Sequence, residues 1–282
     1  MSSSPQLVSV VIPVGSVDDL LPLQLSALEA QTFGGRWELV LSCNTDDPTA
    51  IDALTALAVD FSAAEARVVD SSDVRSASHA RNVGAREAAG DLIVFCDGDD
   101  EAEPDWLATI VSATGEGVAV GGHLAEERLQ VVGQENWRPP ATPGALPSYL
   151  GHPYLVSANM AVSASDFDAV GGFDESLLRG EDMAISFALA DHGVELRYEP
   201  EAVIHYRHRK GLRNMLRQHY LYGRGMSQII LRGRLPEGDQ GSMFRANGQR
   251  PEKQSLVHVL RRGSIAAGRL VGIAEEKLGR NR

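Results

Sequence analysis

Five short apolar runs rich in β-branched residues lie in the first 120 residues, at 7–14 (LVSVVIPV), 37–42 (WELVLS), 66–69 (ARVV), 91–96 (DLIVFC) and 117–121 (GVAVG). Between them, 18–31, 48–59, 76–89 and 104–114 carry apolar residues at spacings of three and four. Strands that alternate with helices of this length cannot pair as hairpins, so the pattern predicts βαβ units and a mostly parallel sheet flanked by helices. Ser76 or Ser78 can cap the third helix, which is expected to stop at Gly90, and Pro104 suits the first turn of the fourth. Small residues along 76–84 would let that helix pack closely on the sheet.

In such sheets ligands sit beyond the carboxyl ends of the strands. Here those positions are Pro13-Val14-Gly15, Cys43-Asn44-Thr45, Asp70-Ser71-Ser72 and Asp97-Gly98-Asp99-Asp100. Three carboxylates in four positions repel one another, and a divalent cation would relieve that repulsion while leaving coordination sites for phosphate oxygens. A solvated acidic turn is the competing reading. Gly180-Glu181-Asp182 opens a second helical pattern. Acids there suit a helix N-terminus, or they include a general base whose neighbours tune its proton affinity. His205, after Ala202-Val203-Ile204, is either a structural histidine at a strand end or a third ligand to the same cation. Arg81 and Asn82 are less readily explained by packing, and could orient a nucleotide or the acidic turn.

Charge divides the chain. In residues 1–204, 33 acids stand against 9 arginines; in 205–282, 17 Lys and Arg stand against 5 acids. An acidic body of this kind does not bind nucleic acid over its surface. The basic end could meet an anionic membrane, a phosphorylated acceptor or a nucleotide diphosphate. Within it, 254–279 reads as a basic amphipathic helix. Pro13 interrupts the first apolar run, no basic residue precedes it, and no later run is long and apolar enough to span a bilayer. Two cysteines without C-x-x-C spacing argue against a structural zinc site or a disulfide framework. A cytoplasmic location is expected, with the inner face of the cell membrane as an alternative. The segment 123–154, rich in Pro and Gly, is expected to be a mobile or substrate-covering loop.

Taken in order, VSVVIPV, SHARNVGAREAAGDLIVFCDGDD and GGFDESLLRGEDMAISFALADHG resemble the family 2 glycosyltransferases of the GT-A fold. The resemblance spans about residues 7–210. It implies a GT-A domain over 1–210, with a nucleotide-binding half 1–122 and an acceptor half 123–210, followed by a helical basic extension over 211–282. It also implies a nucleotide-sugar donor, Mn²⁺ or Mg²⁺, a carbohydrate or lipid-linked acceptor, and displacement with inversion at the anomeric carbon. Residue by residue, Pro13 and Val14 would line the nucleoside pocket, and Arg81 and Asn82 would lie near the donor. Asp97 would contact ribose or donor sugar, Asp99 would bind metal, Asp182 beside Glu181 would be the base, and His205 would be the metal-binding histidine, with His208 close enough to compete.

Many members place Asp-Asp or Asp-Asn after the second strand, whereas this chain has Ser42-Cys43-Asn44-Thr45. Asn44 or Asp46 would then have to meet the base. A uridine donor is expected, with thymidine or guanosine open. The absence of Q-x-x-R-W favours single transfer over processive synthesis. Two competing readings are a non-catalytic homologue that binds carbohydrate or acts as a scaffold, and a nucleotidyltransferase. The lack of any lysine before Lys210 counts against the second.

Overall fold

The computed structural model describes residues 6–130, 133, 137, 144–236 and 256–279. Parts of the 123–154 segment, and residues 254–255 of the expected basic helix, lie outside them. In chain order the elements are β1 (Val8–Val14), α1 (Leu21–Glu29), β2 (Trp37–Cys43), α2 (Ala50–Asp60), β3 (Glu65–Asp70), α3 (Ala77–Glu87), β4 (Leu92–Cys96), β5 (Glu101–Ala102) and α4 (Trp106–Ala113). There follow β6 (Val118–Ala125), β7 (Ser148–Tyr149), β8 (His152–Pro153), β9 (Asn159–Ser163), α5 (Ala164–Ala169), α6 (Glu181–Asp191), β10 (Glu195–His205), α7 (Leu212–Leu231) and α8 (Leu256–Lys277).

Eight strands form one sheet in the order β3-β2-β1-β4-β9-β6-β10-β5. The pairs β1/β2, β2/β3, β1/β4 and β6/β10 are parallel; β9 runs antiparallel between β4 and β6, and β5 runs antiparallel to β10. This is the mixed, mostly parallel α/β sheet of the GT-A fold. The runs of β1, β2 and β4 are buried on both faces because alternate side chains feed two cores. Val8, Val10, Ile12 and Val14 join Leu39, Leu41, Leu92 and Val94 on one side, with Leu25, Leu54 and Trp106 from the helices. Val11, Val40, Ile93 and Phe95 face the other, with Phe167, Phe173 and Ile185.

Local chemistry fixes α3. Ser76 caps it, its hydroxyl accepting the His79 N–H at 3.0 Å. The helix ends at Glu87, three residues before the expected Gly90, because Ala88 turns extended (φ −64°, ψ 137°). Gly90 serves close approach instead: a Cβ there would sit 2.8 Å from the Leu7 carbonyl oxygen. At Gly84 a Cβ would lie 2.5 Å from Val11 Cγ1, so the helix rests on β1 at a spacing no other residue allows.

The far half departs from the expected pattern in two places. β6 continues to Ala125, into the segment read as loop, and β10 covers eleven residues where the sequence showed a three-residue apolar run. β10 is interrupted by a register shift between Glu199 and Val203. Asn159 fills that interruption: its Nδ2 donates to the His123 and Ala202 carbonyls at 3.0 and 2.8 Å, and its Oδ1 accepts the Trp106 indole N–H at 2.8 Å. The sheet edge is thereby locked beside the acid turn that follows β4.

Candidate functional site

β4 delivers Asp97, Asp99 and Asp100 to the carboxyl edge of the sheet, with one carboxylate oxygen from each within 4.8 Å of the others. Asp100 is buried, and its Oδ1 accepts the Arg207 N–H at 2.7 Å while its Oδ2 has no partner. Burial, together with Asp97 and Asp99, pushes Asp100 up to about 9. Asp99 reaches solvent, yet the surrounding walls strip part of its hydration, and with Asp97 this raises it to about 6. A buried orphan oxygen and two carboxyls that resist ionisation are what a missing positive charge leaves behind, so the donor set fits a hard divalent cation.

Arg81 on α3 answers part of that charge. Its Nη2 donates to Asp97 Oδ1 at 2.7 Å, and its guanidinium lies 5.7 Å from the centre of the Phe173 ring. Burial opposes the charge on Arg81, but Asp97, Asp182 and Glu181 outweigh it and raise its pKa.

Asp182 approaches from α6. Gly180 precedes that helix at φ 95°, a left-handed conformation that suits glycine, and Glu181 and Asp182 occupy the first turn. The Ser157 N–H donates to Asp182 Oδ1 at 3.2 Å. Enclosure and the neighbouring Glu181 push Asp182 up to about 7, against the opposing pull of Arg81 and the Ser157 hydrogen bond. A carboxyl poised there can take a proton from a hydroxyl near neutral pH.

Arg81, Asp97, Asp99, Glu181, Asp182 and His208 all line one cavity of about 670 Å³. The supposed covering segment contributes His123, Leu124, Glu126, Pro147 and Tyr154 to its wall. Other residues singled out in the sequence lie elsewhere. Pro13 and Val14 end β1 beside β2, where the Asn44 N–H donates to the Val14 carbonyl at 2.8 Å. The buried side chain of Asn44 holds the loop after β3, donating to the Ser71 carbonyl and, at 2.9 Å, to that of Val74. Cys43 lies in the apolar core, where burial pushes its thiol up, and Asp46 pairs with Arg75 at 2.8 Å.

Asn82 faces away from the cavity and binds the main chain of Phe173 and the carboxylate of Glu175. His205 is absent from the cavity wall and is held by Glu103, whereas His208 is on the wall and pairs with Glu126 at 3.2 Å. Of the two histidines, the structure therefore brings His208 to the cavity.

Sequence reasoning missed a network behind the site. His79 Nδ1 meets Glu175 Oε2 and its Nε2 meets Asp73 Oδ1, both at 2.8 Å. The only hint was composition: a histidine within a stretch of small residues, and an acid in GGFDE.

The profile described as Glycosyl transferase family 2 matches residues 9–168, and that of Glycosyl transferase family group 2 matches residues 146–270. The chain belongs to glycosyltransferase family 2. Within the family it is similar to the pre-mycofactocin glycosyltransferase of Mycobacterium tuberculosis, at 28% identity over 172 residues, 54% of this chain and 34% of that protein. It thus spans about a third of the length of that relative. It is also similar to glycosyltransferase AglE of Haloferax volcanii, at 24% identity over 249 residues, 83% of this chain and 78% of the relative.

Among solved structures it resembles the mannosyltransferase PcManGT of Pyrobaculum calidifontis, determined with GDP-Man and Mn²⁺ (TM-score 0.61, 18% identity, 98% of this chain and 76% of that one). It also resembles S. aureus TarS with UDP-GlcNAc (TM-score 0.54, 17% identity, 83% and 68%). The family makes the chain a glycosyltransferase, and the structural likeness supports the GT-A fold.

Proposed function

We propose that the protein moves one sugar from a nucleotide-diphosphate sugar to an acceptor hydroxyl, with inversion and with the help of a divalent metal. The observation that carries this reading is the meeting of Asp97 and Asp99, from the acid turn after β4, with Asp182, from the start of α6, at one cavity. Mn²⁺ or Mg²⁺, held by Asp99 with Asp97 or Asp100, would supply Lewis-acid neutralisation of the departing diphosphate. Asp97, held by Arg81, would orient the donor sugar. Asp182 takes the acceptor proton, an effect that depends first on position and then on its pKa near 7. Arg207 and Arg209, which also line the cavity, bring positive charge to the side where phosphate charge builds.

The donor base proposed is uridine, with guanosine as the main competitor: one structural neighbour was determined with UDP-GlcNAc and another with GDP-Man. The base is proposed to lie beyond the carboxyl ends of β1 and β2, where the Asn44 N–H bonded to the Val14 carbonyl fixes the main chain next to Pro13. The acceptor proposed is a carbohydrate or lipid-linked hydroxyl.

Calorimetry with UDP, GDP and dTDP, each with Mn²⁺, Mg²⁺ or chelator, tests the reading on wild type and Asp99→Ala. Binding of one diphosphate that needs metal and disappears in the variant is the expected result. Absence of binding in every condition would favour a non-catalytic homologue.

A further inference from the structure

An amphipathic helix on a water-soluble body normally turns its charged face outward. α8 does the opposite. Its buried residues are Gly268 and Gly272. A Cβ at Gly268 would sit 2.0 Å from the Tyr220 carbonyl oxygen, and one at Gly223 on α7 would sit 2.1 Å from that of Ile265. The two backbones touch, so large apolar side chains have no room in the seam. Polar groups close it instead. Arg224 donates from Nε and Nη2 to Glu275 at 3.0 and 2.7 Å, Arg232 donates to Glu276 at 2.7 Å, and the Ser264 hydroxyl donates to the Leu216 carbonyl at 2.7 Å. Helices that meet through small residues and hydrogen bonds in this way are typical of surroundings where lipid solvates the apolar side chains.

The large side chains displaced from the seam point outward. Leu256, Leu270 and Leu278 are 73%, 70% and 66% exposed, and Val259, Leu260 and Ile273 are exposed too. Spaced at threes and fours with the exposed Ala266, Ala267 and Ala274 among them, they make one apolar stripe along the helix. No described residue covers it. Exposed Arg262 and Arg269 border the stripe and Lys277 interrupts it, while both acids of the helix are spent in the seam.

We propose that this face of α8 lies in the surface of an anionic lipid membrane. Charge selects this occupant: the stripe offers apolar side chains and cations with no carboxylate, which matches acyl chains beneath acidic headgroups. A second copy would set the same cations against each other. The body, with 33 acids against 9 arginines in 1–204, is repelled by the same surface, so contact through α8 also orients the molecule. Arg261 of α8 and Arg217 of α7 line the cavity, so the helix that meets the membrane also forms part of the wall of the proposed transfer site.

The test is flotation of the full chain with vesicles of phosphatidylcholine alone or mixed with phosphatidylglycerol. The wild type is expected to float with the mixed vesicles and far less with the neutral ones. Leu256→Glu and Leu270→Glu, whose side chains stand clear of the seam, should abolish flotation while leaving nucleotide binding and thermal melting unchanged. Arg262→Gln should lower partitioning about fivefold. A wild type that stays unbound with every vesicle overturns the proposal, as does flotation unaffected by either Leu→Glu change. So does a lipid-free dimer, seen by light scattering, that Leu270→Glu splits, because the occupant would then be a second copy. Nucleotide binding is scored separately, so failure here leaves the transfer reading standing and the reverse also holds.

Discussion

Asn82 grips the main chain of Phe173 at both of its polar groups: Nδ2 donates to the Phe173 carbonyl and Oδ1 accepts the Phe173 N–H, each at 2.9 Å. The contact ties α3, which carries Arg81, to the loop that leads into α6, which carries Asp182. Truncation by Asn82→Ala would leave two buried backbone groups without partners, and a loss of about 2–4 kcal/mol is expected in urea unfolding. A loss below about 0.5 kcal/mol would show that water replaces the side chain and that the tie is not structural.

Asp182 titrates near 7 in the fold. As a base it works only when ionised, so the transfer rate should rise through about pH 7 and level off above it. Asp182→Asn should reduce the rate by about 10²–10⁴ while leaving metal-dependent nucleotide binding in place. The same shift has a stability consequence of the opposite sense. Between its ordinary value of 3.8 and about 7 the carboxyl ionises in the unfolded chain but not in the fold, so its contribution declines as pH rises. The variant should therefore melt higher than wild type above about pH 7, and an unchanged or lower melting temperature there would contradict the assignment.

Burial works against a charge on His79, but Glu175 and Asp73 at its two ring nitrogens overcome it and hold the imidazole above its ordinary 6.5. The stabilisation is fully present below pH 6.5 and is lost as pH rises through the raised value. Because Asp73 is 75% exposed, solvent screens its share, and the half-buried Glu175 is the partner that matters more. Urea midpoints at acidic and alkaline pH check this: wild type should lose stability across the interval and His79→Gln should not.

Gly84 packs against Val11 with no space for a methyl group. Gly84→Val should cost about 1–3 kcal/mol or more through overpacking, read as a lower denaturation midpoint. Since α3 also positions Arg81, weaker nucleotide binding is expected in the same variant.

β1, β2 and β4 were legible because they are buried on both faces, so their sequence is apolar at most positions and little else fits. The acid turn and Asp182 were legible because carboxylates cluster visibly in sequence even when their partners are remote. β10 was not: its eleven residues are half solvated and broken by a bulge, so only Ala202-Val203-Ile204 read as strand. Nor was the choice between His205 and His208: His205 ends β10, where Glu103, far away in sequence, captures it, while His208 lies three residues beyond the strand. The 254–279 pattern announced an amphipathic helix, but which side faces inward depends on Gly223 of α7, more than thirty residues earlier and beyond the reach of any local period.

The wall of the cavity comes from three stretches of chain: Arg81 and the acid turn before residue 101, His123, Leu124 and Glu126 from the end of β6 and just beyond, and Glu181, Asp182, Arg217 and Arg261 after residue 144. Because β9, from the later stretch, is inserted between β4 and β6, neither part of the wall can be exchanged without rebuilding the sheet that carries the other.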